Sequence, residues 1–304
     1  MEEGARPKGE PAAFGFPAPV RAGATRLGWI GIGVMGGAMA RHLLGAGYAV
    51  TVFARTPAKA AGLVAAGATL ATSPASVAAA SDVVFTMVGN SGDVRDVVLD
   101  PAAGVLAGLR RRGGAARAAG CHAVDAPVSG GDVGARDGTL AIFAGGDDEG
   151  VVAWLAPLLA CLGRPTYMGP PGSGQSSKIA NQLAVAGAVV GLGESVAFAA
   201  AAGLDAPLFL DAISKGAAGS RVMDIFGDRV LRREFMSGGS VKYIVKDLGM
   251  ALEVGDGREE EGAVVLPGAA LFRQMFSAMV ANGDGDMCLQ GLITVVERLN
   301  GIRK

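Results

Sequence analysis

Three glycines set between a strand and a helix constrain this chain more than any other feature. Trp29 to Ile32 reads as a short buried strand and Ala38 to Leu44 as the first turns of a helix. Between them Gly31, Gly33 and Gly36 spell G-x-G-x-x-G. The first glycine permits a tight turn, the second leaves the backbone bare enough for a pyrophosphate to approach, and the third allows close helix–strand packing. The turn Gly31-Ile32-Gly33-Val34-Met35-Gly36 is therefore a candidate cradle for a dinucleotide, its diphosphate held by amides at the positive end of the helix. A lone match is weak in a chain with 49 glycines. A second strand, Tyr48 to Phe53, strengthens it by closing a βαβ unit.

Length and composition narrow the classes. The 304 residues suffice for two domains, half of them are apolar, and the formal net charge is −1. No basic footprint for nucleic acid or for an anionic membrane is present. Cys121, Cys161 and Cys288 lie far apart with no C-x-x-C, and the two histidines are His42 and His122. Neither a disulfide framework nor a metal site is expected. Residues 1–26 are rich in Pro, Gly and Ala and open Met1-Glu-Glu, unlike an Arg-rich, acid-poor transit peptide. A disordered tail and a cytoplasmic protein are expected, with an organellar setting left open. The most apolar stretch, Leu183 to Gly193, is short for a membrane span and reads as a core helix.

Strand and helix patterns alternate from Leu27 to about residue 170 and are almost wholly helical afterwards. The expected architecture is α/β, a doubly wound Rossmann domain (27–170) followed by an all-helical C-terminal domain (171–304). Strand Tyr48–Phe53 leads into Arg55 and Thr56, with no acid there to hold a ribose 2′-hydroxyl; the next acid is Asp82. Arg55 and Thr56 suit a 2′-phosphate instead, which favours NADP over NAD; a solvated charge at a strand end is the plainer reading. Asp82 to Val88 reads as a fully buried parallel strand whose carboxyl end, Met87, Val88 and Asn90, should lie under the cofactor. His122 to Asp125 looks like the next parallel strand, followed by a turn over Pro127–Asp132.

Three further motifs follow in order: Asp125-Ala-Pro-Val-Ser-Gly-Gly131, Gly172-Ser-Gly-Gln-Ser-Ser-Lys178-Ile-Ala-Asn181-Gln182, and Lys246-Asp247-Leu248. Alcohol oxidation by hydride transfer needs a base for the hydroxyl proton, and the reverse needs an acid. With histidine scarce, a desolvated lysine is a suitable substitute. Lys178 stands one helical turn from Asn181 and Gln182, so the three share a side. Ser129, Gly130 and Gly131 offer a hydroxyl and amides to a substrate carboxylate, or form only a structural turn.

Together with the glycine turn these motifs resemble the β-hydroxyacid dehydrogenase family, which includes 3-hydroxyisobutyrate dehydrogenase, tartronate semialdehyde reductase and glyoxylate/succinic semialdehyde reductase. The plant-type branch is the nearest in appearance, and the resemblance runs from about Leu27 to Ile302. It implies an NADP-preferring enzyme (NAD possible) acting on a small 3-hydroxy acid or short semialdehyde, and a homodimer or homotetramer. It also implies Lys178 as the catalytic lysine, Asn181 and Gln182 beside the substrate, Lys246 approaching the nicotinamide and Asp247 anchoring its helix. Gln182 stands where the family usually has asparagine. A second departure is larger. Roughly twenty residues, a strand and a Ser/Thr-Ser-x-Pro turn, are missing between the helix near Leu109 and the strand at 122–126. Either strands 83–88 and 123–126 meet directly or a gap remains, and reduced stability and activity are expected. A chain that binds a dinucleotide without turnover is the main rival. A phosphogluconate-type decarboxylating dehydrogenase is disfavoured by the short helical part.

Overall fold

The computed structural model describes residues 18–110, 121–236, 238–255 and 264–302. The chain divides into two compact units, one reaching to Gln175 and one from Ser176.

In the first unit, β1 (Arg26–Ile30), β2 (Ala49–Phe53), β3 (Thr69–Leu70) and β4 (Val83–Thr86) form a parallel sheet in the order β3-β2-β1-β4. Its crossover helices are α1 (Val34–Gly45), α2 (Ala61–Ala65, after a 3-10 turn at Pro57–Ala60) and α3 (Pro74–Ala80). Alternation along β1 sorts its side chains between two cores. Leu27 and Trp29 face α1, while Ile30 packs with Val77, Ala78 and Val105 on the other side. Trp29 stacks on Phe85 with ring centroids 5.1 Å apart. After Asn90 the chain is helical from Gly92 to Leu109 except near Pro101, which cannot continue a helix and divides it into α4 (Ser91–Leu99) and α5 (Val105–Arg110).

The strand expected at 122–126 is found differently paired. Val124–Asp125 (β5) and Val128–Ser129 (β6) both lie antiparallel to β7 (Leu140–Gly146). Their register is continuous: Val124 faces Gly146, Val128 faces Ile142, and the Pro127 carbonyl accepts from Phe143 N at 3.0 Å. The two segments are one strand interrupted at Pro127, which has no N–H to donate. The turn expected at Pro127–Asp132 is thus a strand end running into α6 (Gly131–Asp137). Beyond β7, α7 (Glu149–Ala160) leads to β8 (Gly163–Gly169), which pairs parallel with β7.

Among the described residues, β4 pairs only with β1, and no pairing joins β4 to β5. Of the two expected outcomes, direct pairing is not found and a gap separates β4 from β5 among the described residues; residues 111–120, where the missing segment was expected, lie outside them. The two sheets are held together by α1 packed on α6 and by one shared core that includes Trp29, Leu43, Val128, Leu140, Ile142 and Leu158. Each such fully buried aliphatic side chain stabilises the unit by about 1.5–3 kcal/mol. His42, at the end of α1, donates from Nε2 to the carbonyls of Ala135 (3.1 Å) and Arg136 (2.9 Å), closing the end of α6. The gap also corrects the expected full burial of β4. Its residues are only half-buried and Thr86 is exposed, because one edge has no described strand beside it.

Of the tail expected to be disordered through residue 26, residues 1–17 lie outside the described residues and residues 18–26 are ordered into the unit. Val20 is buried in the same core, and Trp154 Nε1 donates to the Ala18 carbonyl at 3.1 Å.

The second unit is helical: most of α8 (Ser173–Ala201), then α9 (Ala206–Ser214), α10 (Arg221–Leu231), α11 (Lys242–Gly255), α12 (Pro267–Ala281) and α13 (Ile293–Leu299). By length and composition α8 would suffice to cross a membrane, so the shorter stretch read from the sequence understates it. Ala186, Val189 and Val190 of α8 are buried with Ile244, Leu248, Phe276 and Met279, the packing of a core helix.

A strand and Ser-x-Pro turn of the family type, inserted after Leu109, should pair along the open edge of β4. The melting temperature should rise by several degrees and amide exchange of Val83–Thr86 should slow. An insertion that changes neither would show that this edge loses nothing by lacking a strand.

Candidate active site

The glycine turn is tighter than the sequence requires. Gly31 has φ +99°, and a Cβ there would collide with the Met87 carbonyl. A Cβ on Gly36 would collide with the Gly31 carbonyl, which also accepts from Trp29 Nε1 at 3.1 Å. A Cβ on Gly33 would meet nothing within 4 Å. This crossing leaves free the one backbone face over which a diphosphate would approach the amides of Val34 and Met35. The residues present fit a dinucleotide. An open groove of about 510 Å³ runs from Ile32, Gly33 and Val34 along α1 to Arg41 and Lys59. Arg41 and Lys59 were not singled out from the sequence, although Lys59 follows Arg55 by four residues and lies in the 3-10 turn just after it.

Arg55 and Thr56 are exposed at the carboxyl end of β2. Arg55 forms an ion pair with Asp93 of α4, Nη1 to Oδ1 2.9 Å. Asp82 is elsewhere, bonded to Arg26 at the amino ends of β4 and β1. Met87 donates its N–H to the Ile30 carbonyl, and Val88 packs against the Ile30 core. Asn90 caps α4, its Oδ1 accepting from Asp93 N at 2.9 Å. Asn90 thus has a structural duty that is sufficient to explain it.

Ser129 ends β6, and Gly130 (φ +129°) and Gly131 (φ +64°) turn the chain into α6. Asp125, four residues earlier, was not a candidate but has a positioning duty. Its carboxylate accepts from Gly172 N and Gln175 N, both at 2.9 Å, and so satisfies amides at the start of α8. Gly174 has no room for a side chain against the Phe143 and Asp125 carbonyls. The start of α8 is fixed three residues before Lys178.

In the helical unit, Lys178 Nζ donates to Gln182 Oε1 at 2.8 Å, and Asn181 Nδ2 donates to the same oxygen at 3.0 Å. Gln182 Nε2 donates to Asp247 Oδ2 at 3.0 Å, and Lys246 Nζ donates to Asp247 Oδ1 at 2.7 Å. The five residues singled out on α8 and α11 form one network, with buried Asp247 as its anion. Burial lowers the Lys178 pKa to about 8; Asp247 acts to raise it and Lys246 to lower it further.

Two family models cover the chain: the NAD binding domain of 6-phosphogluconate dehydrogenase over residues 26–169, and the NAD-binding region of NADP-dependent 3-hydroxyisobutyrate dehydrogenase over residues 172–296. A probable 3-hydroxyisobutyrate dehydrogenase-like protein of Arabidopsis thaliana, named mitochondrial, is 49% identical, covering 94% of this chain and 92% of its own. The chain belongs to the β-hydroxyacid dehydrogenase family. It is an NAD(P)-dependent oxidoreductase of the hydroxyacid dehydrogenase type. Among solved structures, Psf3 in complex with NADP+ and 2-OPP is similar with a TM-score of 0.79 at 26% identity, covering 89% of this chain and 99% of that one. The 3-hydroxyisobutyrate dehydrogenase of Salmonella typhimurium follows with a TM-score of 0.77 at 26% identity, covering 90% and 100%. The cofactor of this dehydrogenase is NADP or NAD. The alignment with the plant relative spans 304 positions yet draws on 94% of this 304-residue chain. It therefore includes positions where the relative has residues and this dehydrogenase has none, in agreement with a lost segment.

The Lys178 pKa carries a stability consequence. Its folded value of about 8 lies below the ordinary 10.5, so between these pH values the unfolded chain binds more protons. The cost of burying the ammonium is fully present below pH 8 and fades as pH rises towards 10.5. Lys178→Met should therefore be the more stable form at pH 7, and wild type should close the gap between pH 8 and 10.5 in urea titrations. A gap independent of pH would place the ammonium in water.

Proposed function

We propose that the chain is an NADP-preferring dehydrogenase/reductase of a small 3-hydroxy acid or short semialdehyde, of the 3-hydroxyisobutyrate, glyoxylate or succinic semialdehyde class. The observation that carries this reading is the Lys178–Gln182–Asp247 network in a chain of this family. A nicotinamide, when bound, would supply or accept the hydride. Lys178 holds the proton: as the ammonium it gives one to the carbonyl oxygen in reduction, and as the amine it takes one from the hydroxyl in oxidation. Gln182 and Asn181 orient that amine and offer amide groups to the substrate. The hydroxyl of Ser129 and the amides of Gly130 and Gly131 are assigned to its carboxylate, and Lys246 to the nicotinamide side. The turn Gly31–Gly36 takes the diphosphate. Arg55, with Thr56 and Lys59, takes the 2′-phosphate, whose bidentate recognition suits a guanidinium.

The exposed apolar side chains Phe198, Leu208 and Leu271 of the helical unit support a homodimer or homotetramer. The plant relative's name favours an organellar setting over the cytoplasm. A second reading, a chain that binds a dinucleotide with little turnover, is favoured by the break between β4 and β5. Displacing a reacting group by about 1 Å can cost a hundredfold in rate.

The deciding assay is reduction of glyoxylate, succinic semialdehyde and methylmalonate semialdehyde with NADPH and NADH. Turnover of one of them, lowered about 10²–10⁴-fold by Lys178→Ala with NADPH affinity intact, is expected. Absence of any turnover would favour the binding reading, and a Lys178→Ala variant retaining most of its kcat would remove the lysine from the mechanism.

Cofactor choice is tested separately. Arg55→Ala should weaken NADPH binding by about 1.5–3 kcal/mol and leave NADH nearly unchanged. Equal losses for both cofactors would show that Arg55 does not read the phosphate.

A further inference from the structure

The acid missing after β2 is replaced in space by one from another element. Asp93 lies in the first turn of α4, just beyond β4, and its Oδ1 is 2.9 Å from Arg55 Nη1. Its other oxygen accepts from Asn90 Nδ2 at 3.0 Å, and its backbone N–H is held by Asn90 Oδ1. The carboxylate is therefore fixed by the helix cap, with a side-chain exposure of 15% against 77% for Arg55. Because β1 lies between β2 and β4 in the sheet, this ion pair bridges the two loops on either side of β1. These loops flank the end of the strand that carries the glycine turn.

We propose that Asp93 is a positioning residue for cofactor selection, holding Arg55 as an internal stand-in for the 2′-phosphate. This rests on the reading of Arg55 as the residue that takes that phosphate. A dinucleotide with a 2′-phosphate has to draw the guanidinium from a carboxylate that is already seated. Once released, that carboxylate remains as a like charge beside the new anion. A dinucleotide without the phosphate leaves the pair closed. Asp93 thus lowers NADP affinity selectively and narrows the preference that Arg55 alone would create. The exposed guanidinium limits the size of the effect, since ion pairs in such settings are weak. The ordered carboxylate keeps it from vanishing.

The test is the equilibrium affinity of the whole chain for NADPH and NADH, followed by cofactor fluorescence, in wild type, Asp93→Asn, Arg55→Ala and the double variant. Asparagine retains an acceptor for Asn90 Nδ2, so the cap survives; a ligand-free melting temperature close to wild type checks this. If it falls, Asp93→Ser replaces it. The expected result is an NADPH Kd about two- to tenfold lower in Asp93→Asn, an NADH Kd within about twofold of wild type, and no gain in the Arg55→Ala background. An NADPH Kd that stays constant or rises overturns the proposal. A gain that persists without Arg55 also overturns it, by showing that Asp93 acts on the phosphate directly. Weaker NADH binding would overturn it as well, and make Asp93 a ribose ligand. If Arg55→Ala weakens both cofactors equally, the reading of Arg55 fails first. If it weakens NADPH alone while Asp93→Asn has no effect, only the present inference fails.

Discussion

The structure of the first unit depends on a crossing with no room for a methyl group. Gly31 lies against the Met87 carbonyl, and Gly36 lies against the carbonyl of Gly31. The Trp29 indole donates to that same carbonyl. Three elements, β1, α1 and β4, are thereby held at backbone contact. Gly33, at the opening of α1, faces open space, while the glycines on either side of it absorb the close approach. The path of the chain after Met87 follows from the same crossing: Asn90 starts α4, and Asp93 is set beside Arg55. The open glycine turn and the Arg55–Asp93 ion pair are consequences of one packing event.

Features with a local cause were legible in the sequence. The glycine turn with its flanking strand and helix, the second strand ending at Phe53 and the helical character of the chain after residue 170 follow from periodicity and breakers. The features that were not legible join residues far apart. Nothing near Asp125 shows that its carboxylate closes the start of α8 about fifty residues later, or that its strand runs antiparallel to β7. The apolar run Val83–Val88 reads as a central strand, and its sequence is that of one. Its half-burial goes with an edge that has no described strand beside it. Likewise Arg55 stood out for its place after β2, while Asp93 looked like any acid in the first turn of a helix.

The break between β4 and β5 shows what a shared hydrophobic core can and cannot replace. Backbone pairing normally fixes the distance between neighbouring strands to about 4.8 Å. Without it, α1 on α6, the His42 cap and the apolar contacts around Trp29, Leu140 and Leu158 must set the relation between the sheets. Side-chain packing of this kind is strong in sum but less exact in register. Ser129 belongs to the second sheet and the glycine turn to the first, so among the described residues their relative placement rests on packing and not on a ladder.

In the helical unit the choice of glutamine at 182 has a chemical meaning that the substitution alone does not suggest. A carboxylate in direct contact with Lys178 would stabilise the ammonium and raise its pKa, holding the proton too firmly to be exchanged near neutrality. Here Asp247 is reached only through the Gln182 amide, whose oxygen faces the lysine and whose nitrogen faces the acid. The neutral dipole orients the amine without adding a formal charge at contact distance, and Lys246 takes up part of the field of Asp247. Burial then outweighs the remaining attraction, and the pKa settles at about 8, close enough to neutrality for the acid and base role proposed for Lys178. The extra methylene of glutamine over asparagine lengthens the arm by which one amide from α8 reaches both Lys178 and Asp247.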